Sequence, residues 1–422
     1  MSMRVVVVGQ GYVGLVLAMA AVEAGHRVWG LDVDRSVVDR LNAGESPIGD
    51  VSPQRLRTAR QRHYRATVDA TVIGGADVVV VCVPTPLAMD GSPDLSAVTA
   101  AADTVGEQLS GSTLVVLEST THPGTTEDLF APAILRHGHT LDVDVFIASS
   151  PERVDPGNGA FGIRNTPKVI GGLTAQSAAA AVAFYATMVD EVVEAKSARE
   201  AEMSKILENT FRHVNIALVN EMLRISNELG VDLWDAIRCA ETKPFGFMAF
   251  RPGPGVGGHC IPVDPLYLSH RIRAKLGYAF RMVEMAQEIN RSAPFYVVQR
   301  SWLLLNESGI AARGARVLLL GVTYKPGVAD CRESPADVIA RQLVDLGCDV
   351  SYHDPYVPVW RAGTVFELAS VAVLDDALAD ADLVVLLQAH PQYDLDDIAG
   401  TAKRVLDTRG LVDQAASSVT RL

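Results

Sequence analysis

Short, wholly apolar runs closed by glycine or another turn-forming residue recur along this chain, with longer stretches of small and mixed residues between them. Residues 5–8 (VVVV), 26–32, 76–84 (ADVVVVCVP), 112–120 (STLVVLEST) and 143–150 (VDVFIASS) have the length and composition of parallel strands buried on both faces. Residues 14–24, small and apolar, read as a helix packed on such strands. The first ~190 residues are therefore expected to form a doubly wound α/β domain.

The period then changes. From 197 to 229 the apolar residues Met203, Ile206, Leu207, Phe211, Val214 and Leu218 recur at three-to-four spacing, which predicts one long connecting helix. A Pro/Gly-rich loop follows at 252–265, with more helical sequence to about Gly309. Strand-like runs then resume at 315–327 (ARVLLLGVTYKPG), 348–355, 381–388 (ADLVVLLQ) and 402–410. VVVVGQGYVG against VLLLGVTYKPG, and ADVVVVCVP against ADLVVLLQ, form a weak internal repeat. The expected architecture is α/β, two Rossmann-like doubly wound domains joined by a long central helix. Its expected divisions are 1–196, a central helical and loop region 197–300, and 301–422.

Composition narrows the functional classes. The 422 residues are 48% hydrophobic and 21% charged, as in a globular protein with more than one core. A formal net charge of −13 speaks against nucleic acid as a partner. No apolar run approaches the ~20 residues of a membrane helix, and VVVVG begins without a charged leader, so no membrane association or export is expected. Five cysteines, none in a C-x-x-C pair, suit a reducing cytoplasm and suggest neither a disulfide framework nor a metal cage.

Gly9-Gln10-Gly11-Tyr12-Val13-Gly14 directly follows the first strand and opens the first helix. There, glycines let the backbone turn tightly and approach a pyrophosphate that sits on the helix N-terminus. Asp32 ends the second strand, where a carboxylate accepts from a ribose hydroxyl and repels a 2′-phosphate, so NAD is expected over NADP. Arg35 is the one residue nearby that would favour NADP, the alternative being an exposed arginine beside the adenine. The second repeat lacks this glycine pattern, so a different ligand is expected there.

Cys260 stands in GPGVGGHCIPVDP (253–265). A single cysteine is often only a small buried hydrophobe, but the surrounding glycines permit close packing around a ligand, and Pro262 suits a helix start whose dipole would favour thiolate. Asp264, four residues on, is expected on the same helical face. His259 reads as a structural or substrate-lining residue, since no second His/Cys cluster stands nearby to make a metal site. In AEMSKILENT, Lys205 and Asn209 are one helical turn apart, either a solvated stripe or two donors for an oxyanion.

Together GQGYVG, VPTP (83–86), ESTTHPGTT (118–126), SPERVDPG (150–157), KILENTFRHVNIALVNE (205–221), PGPGVGGHCIPVDP and GVTYKPGVADCRES (321–334), in that order, resemble the UDP-glucose/GDP-mannose dehydrogenase family over essentially the whole chain. The resemblance implies NAD in the N-terminal domain, nucleotide sugar in the C-terminal one, and a homodimer built largely on the central helix. It implies oxidation of the sugar C6 hydroxymethyl to a carboxylate with two NAD, through a thiohemiacetal and a thioester on Cys260. Lys205 and Asn209 match the family's oxyanion stabilisers, and Thr120, Glu152 and Asp264 match residues that manage the proton and the hydrolytic water. Pro84, Thr85 and Thr120 join Tyr12, Val13 and the glycines on the cofactor side. Glu152, Arg153, Lys205, Asn209, Phe250, Arg251, Gly257, Tyr324, Lys325 and Arg332 fall on the substrate side, with Lys325 and Arg332 toward the phosphates and nucleotide. GGHCIPVDP and TKPFGFMAF (242–250) are similar to the branch acting on UDP-N-acetylhexosamines, from which Arg251 departs. Glucose and a thymidine carrier stay open as alternatives. So do a two-electron hydroxyacid-type dehydrogenase, which needs no thiol, and a non-catalytic sensor of nucleotide sugar or NAD.

Overall fold

The computed structural model describes residues 2–88, 90–155, 157–362, 366–412 and 417–422; Pro156 of the SPERVDPG motif lies outside them. The chain divides into two compact units, Met1–Glu208 with Leu266–Tyr278, and Asn209–Pro265 with Ala279–Leu422.

The strands of the first unit are β1 (Arg4–Val8), β2 (Arg27–Leu31), β3 (Tyr64–Thr67), β4 (Val78–Val81), β5 (Thr113–Leu117), β6 (Val145–Ser149), β7 (Lys168–Gly172) and β8 (Val192–Glu194). They form one sheet in the order β3-β2-β1-β4-β5-β6-β7-β8. Pairing is parallel from β3 through β6, β7 runs antiparallel to β6, and β8 parallel to β7. Chain order reverses between β1 and β4, which opens a crevice at their carboxyl ends. Val5, Val7, Val78, Val80 and Val116 pack on one face against the helix Gly14–Glu23, while Val6, Val79, Val81, Val115 and Leu117 pack on the other. Burial on both faces is why these strands are uniformly apolar. All the strands expected in this half are present. β3 (YRAT), β7 (KVIGG) and β8 (VVE) were not expected, because polar residues, a double glycine and short length erase their apolar signal. The double glycine has a reason: a Cβ on Gly171 would strike the Ser197 carbonyl, and one on Gly172 the Ala178 amide.

In the second unit β9 (Arg316–Leu320), β10 (Asp349–His353), a hairpin of β11 (Val359–Ala362) and β12 (Phe366–Ala369), β13 (Leu383–Leu386), β14 (Val405–Asp407) and β15 (Val419–Arg421) follow in turn. The main sheet is parallel, in the order β10-β9-β13-β14-β15, with the same reversal between β9 and β13. Val317, Leu319, Val385 and Leu406 face one core with Ile339 and Leu343 of the helix Pro335–Asp345, and Leu318, Leu320, Val384 and Leu386 face the other.

The weak sequence repeat is thus a structural one. Gly9 and Gly321 both take positive φ, and a Cβ on either would strike a carbonyl just after the neighbouring strand, of Cys82 and of Gln388. Asp32 and Asp354 end the second strand of each copy, and each accepts the amide that follows the glycine, Gln10 N and Val322 N, at 2.8 Å.

The predicted connecting helix is continuous over Ala198–Leu229. Its apolar residues serve two faces: Ile206, Ala217 and Leu223 are buried, whereas Met203, Leu207, Phe211 and Leu218 are exposed. No helix among the described residues is long and apolar enough to cross a membrane.

Trp360 anchors the hairpin of the second unit: it is buried, packs edge-on to Tyr352 with ring centroids 5.3 Å apart, and donates from Nε1 to Asp337 at 3.1 Å. Trp360→Ala is expected to destabilise this unit by about 3–5 kcal/mol, read as an earlier denaturant midpoint; an unchanged midpoint would remove the hairpin from the core.

Candidate active site

In the first unit the residues expected on the cofactor side gather at the carboxyl ends of β1, β2, β4 and β5. Gly9 and Gly14 are forced by packing, since a Cβ on Gly14 would strike the Gly9 carbonyl. Gly11 differs, for a Cβ there meets nothing within 4 Å and opens on free space. Val13, at the head of the helix Gly14–Glu23, makes no side-chain cap bond, so the helix N-terminus is free of the cap that would compete with an anion. Buried Gln10 fixes the turn from below, donating to the Val7 carbonyl at 2.8 Å and accepting from the Tyr64 hydroxyl at 2.7 Å. Asp32 accepts from Gln10 N through Oδ2 and from Asp34 N at 2.9 Å through Oδ1, which fixes its carboxylate at the strand end. Arg35 is exposed on the first turn of the next helix, Arg35–Ala43, and Tyr12 is half-buried. The loops after β4 and β5 are tied together by Thr85 Oγ1 to the Thr120 carbonyl at 3.0 Å and Ser119 Oγ to the Val83 carbonyl at 2.7 Å, with Pro84 exposed between them. An uncapped helix end, an open Gly11 and a fixed acid at the ribose position fit NAD.

Next to this crevice lies a charged group that the sequence did not suggest. Lys168, at the head of β7, sits 2.9 Å from Glu118 Oε1 and 2.9 Å from Glu152 Oε2. Burial raises the Glu152 pKa, but the Lys168 charge and hydrogen bond, with the amides of Val154 and Arg153, outweigh it and leave the carboxyl below its ordinary value. Glu152 is therefore an anion at neutral pH. Arg153 donates to the Pro167 carbonyl and pairs with Glu208 at 2.7 Å. Lys205, one turn before Asn209 on the long helix, is buried.

In the second unit, Asn209 donates from Nδ2 to Asp264 Oδ2 at 2.6 Å, both side chains being buried. Asp264 opens the helix Asp264–Leu276, and its amide donates to the Cys260 carbonyl at 2.8 Å. Cys260 is exposed and lies in the turn before that helix. This corrects the expected helix start at Pro262 and the shared helical face: the helix begins two residues later because residues 261–263 complete a turn closed on the Cys260 carbonyl. The glycines before Cys260 also have a different use from the one expected. Gly257 is pressed by the Glu333 carbonyl and Tyr324 Cβ, Gly258 (φ +83°) by the Tyr324 ring, and Gly253 by the Arg409 guanidinium, so protein fills the space their missing side chains leave.

Contact with Tyr324 joins the Cys260 loop to the loop 321–334, and Gly258 N donates to the Arg332 carbonyl at 3.1 Å. Arg332 pairs with Asp330, Nη2 to Oδ2 at 2.6 Å. Lys325 is held through its backbone, its carbonyl accepting from Thr323 Oγ1 at 2.9 Å. Beneath this loop His390 is fully buried: its Nδ1 accepts from Gly327 N at 3.1 Å and its Nε2 donates to Asp354 Oδ2 at 3.0 Å, a tautomer set by the amide. Burial raises the Asp354 pKa, but the bonds from His390 and from the Tyr356 and Val322 amides bring it below its ordinary value. Phe250 packs edge-on to Phe211 at 5.7 Å, and Arg251 pairs with Glu241 at 2.8 Å on the surface.

Three domain descriptions of one family match consecutive parts of the chain: the NAD binding domain at residues 3–189, the central domain at 199–292 and the UDP binding domain at 318–414. The chain belongs to the UDP-glucose/GDP-mannose dehydrogenase family. It is an NAD-dependent oxidoreductase of nucleotide sugars. It is 32% identical to a UDP-N-acetyl-D-mannosamine dehydrogenase of Methanocaldococcus jannaschii, over 97% of this chain and 93% of that protein. It is 33% identical to a UDP-N-acetyl-D-glucosamine 6-dehydrogenase of Salmonella typhi, over 95% and 94%. The solved UDP-glucose dehydrogenase of Pyrobaculum islandicum superposes with a TM-score of 0.88 at 31% identity, covering 100% of this chain and 97% of that one.

Lys168, Glu118, His390 and Asp354 were missed in the sequence. The available signal was modest: a charged residue heading or ending an apolar strand, as in KVIGG and LVVLE, and the acid after β10 that repeats Asp32. If the fixed Asp32 carboxylate holds the ribose, Asp32→Ala raises the KM for NAD about ten- to a hundred-fold, the loss of a charged hydrogen bond. Initial rates at varied NAD check this, and an unchanged KM would remove Asp32 from the cofactor site.

Proposed function

We propose that this dehydrogenase oxidises the C6 hydroxymethyl of a UDP-N-acetylhexosamine to the uronate in four electrons, with the Cys260 thiol carrying the carbon between the two oxidations. The observation that carries the reading is the Cys260 turn: an exposed thiol whose backbone is fixed by Asp264, itself fixed by buried Asn209. GGHCIPVDP and the names of the M. jannaschii and S. typhi relatives support the N-acetylhexosamine, and the UDP binding domain supports the uracil base.

The Gly9–Gly14 turn, Asp32, Thr85 and Thr120 would hold NAD, which when bound would supply the hydride acceptor for each oxidation. The protein does the rest. Alcohol loses a hydride and a proton to give the aldehyde; the Cys260 sulfur adds to that carbonyl, giving a thiohemiacetal. Loss of a second hydride and proton from it leaves the thioester. Water then cleaves the C–S bond, releasing carboxylate and restoring the thiol. The second oxidation is what needs the thiol, since an aldehyde has no hydroxyl oxygen from which to push out a hydride until a nucleophile has added to it; a plain alcohol dehydrogenase stops before that step. Lys205 and Asn209 supply donors to the alkoxide and tetrahedral oxygens, for which their one-turn spacing suits them. Thr120, Glu152 and Asp264 manage the proton and the hydrolytic water. Arg153, Phe250, Arg251, Gly257, Tyr324, Lys325 and Arg332 hold the nucleotide sugar.

We further propose that the working form is a homodimer in a reducing cytoplasm. Leu207, Phe211, Leu218, Met222, Ile225 and Leu229 expose an apolar stripe along one helix, an area suited to a second copy, and none of the five cysteines is in a disulfide.

The experiment is a product count. Purified protein given UDP-N-acetylglucosamine, UDP-N-acetylmannosamine, UDP-glucose and dTDP-glucose in parallel is expected to yield two NADH per uronate from a UDP-N-acetylhexosamine. One NADH per substrate with an aldehyde product would sink the four-electron reading. Cys260→Ser is expected to cut full turnover by more than about a thousand-fold; retained turnover would exclude the thioester. Leu218→Glu with Ile225→Glu is expected to shift the light-scattering mass from dimer to monomer, and an unchanged mass would exclude this helix as the interface.

A further inference from the structure

Of the buried charges Lys168, Glu118 and Glu152, only Glu152 has a part in the reaction as written above. The side chains of Lys168, Glu118 and Glu152 are 4%, 0% and 10% exposed, so Glu152 is the most accessible of the three. Glu118 Oε1 also accepts from the Tyr185 hydroxyl at 2.5 Å, and its Oε2 is buried without a hydrogen-bond partner. On the other side Glu152 Oε1 accepts from Arg153 N at 2.8 Å and Val154 N at 2.7 Å. The titratable groups facing the cluster are Tyr185 from the helix Ala175–Tyr185, which lies under the Lys168 ammonium at 5.3 Å from its ring centroid, and Cys82 from the end of β4. Arg153, paired with Glu208, completes the set.

One ammonium between two carboxylates is an unequal contest. Desolvation acts most strongly on the carboxylate with fewest donors, and Glu118 has Tyr185 and Lys168 where Glu152 has Lys168 and two amides. Burial first, with Glu152 adding and Lys168 opposing, pushes Glu118 up to about 7. Glu152 is the group kept ionised.

We propose that Lys168 is a positioning residue for the reaction: backed by Glu118 and Tyr185, it holds Glu152 as an aimed, ionised carboxylate that accepts the proton of the hydrolytic water. The inference rests on the assignment of Glu152 to that step. Lys168, more buried than Glu152, acts through it. Glu118 is the buried counter-charge that tolerates protonation in its place.

The test is the pH dependence of kcat at saturating NAD and UDP-N-acetylhexosamine for four variants of the full chain. In Lys168→Met two carboxylates lose their shared cation, the Glu152 pKa rises, and the acidic limb of the profile moves up by about one to three pH units. Lys168→Arg keeps the charge and restores the wild-type limb. In Glu118→Gln, nearly isosteric, Lys168 serves Glu152 alone, and the limb stays at or below its wild-type position. A merely structural cluster would damage all variants evenly across pH. A Lys168→Met profile lowered without displacement, or a Glu118→Gln limb raised as far as that of Lys168→Met, overturns the proposal. If Lys168→Met does not fold, Lys168→Arg and Glu118→Gln still decide, since a raised limb in either contradicts it. Glu152→Gln separates the two levels. Full activity there removes Glu152 from the chemistry and the inference with it; lost activity with an unmoved Lys168→Met limb overturns the positioning role alone.

Discussion

Each of the two sheets is organised by one close approach. A glycine in positive φ ends the strand at the topological reversal, and the neighbouring strand's exit carbonyl occupies the position a side chain would need: Cys82 against Gly9, Gln388 against Gly321. Any side chain at either glycine would push the two strand ends apart or force the turn out of its conformation. The acid at the end of the next strand then closes the arrangement by accepting the amide after the glycine. With these contacts made, the carboxyl ends of the strands form a crevice of fixed width, and whatever the next dozen residues carry is presented to it.

What those residues carry differs between the copies, and the difference assigns the ligands. After Gly9 the chain enters a helix within five residues, so that uncapped amides and Gly11 face the crevice. After Gly321 it runs as an irregular loop to residue 334 before the helix Pro335–Asp345 begins. That loop bears Tyr324, Lys325 and Arg332, and His390 with Asp354 fixes its backbone from beneath. A helix end suits a pyrophosphate met by backbone amides; a braced loop suits phosphates met by cationic side chains. The same loop presses on Gly257 and Gly258, so the placement of the Cys260 turn depends on the loop that carries Lys325.

The sequence made the architecture readable because parallel strands buried on both faces leave unbroken apolar runs, and VVVV, VLLL and LVVL needed no context. β7 escaped because its first residue is a buried lysine and its last two are glycines crowded by Ser197 and Ala178. The Cys260 thiol and the Lys205–Asn209 turn were visible as residue types at informative spacings. The role of the glycines near Cys260 was not, since an absent side chain does not say whether ligand or protein fills the space. Lys168 was invisible for a related reason: a lone charge in a strand reads as an edge or surface residue, and only the fold brings Glu118, Glu152 and Lys168 together from three separate segments.

Burial of that trio is difficult to explain as a device for stability. Moving an ammonium and two carboxylates from water costs several kcal/mol for each ion, and an apolar substitution of equal volume is often neutral or stabilising. Glu118 Oε2, buried without a partner, adds to that cost. Fold specificity is a weak alternative, because β5, β6 and β7 are already fixed in register by their backbone pairing and by Gly171 and Gly172. A carboxylate required to stay ionised, as proposed for Glu152, is another matter. Solvent would hold its charge only by being admitted, and in the reaction proposed above free water at the thioester or the aldehyde would compete with the ordered sequence of oxidations. A buried lysine supplies the counter-charge without solvent, and Glu118 behind it, pushed up to about 7 by burial, is the carboxyl that gives way to protonation. The unfavourable burial is then the consequence of excluding water from a site that must still contain an anion.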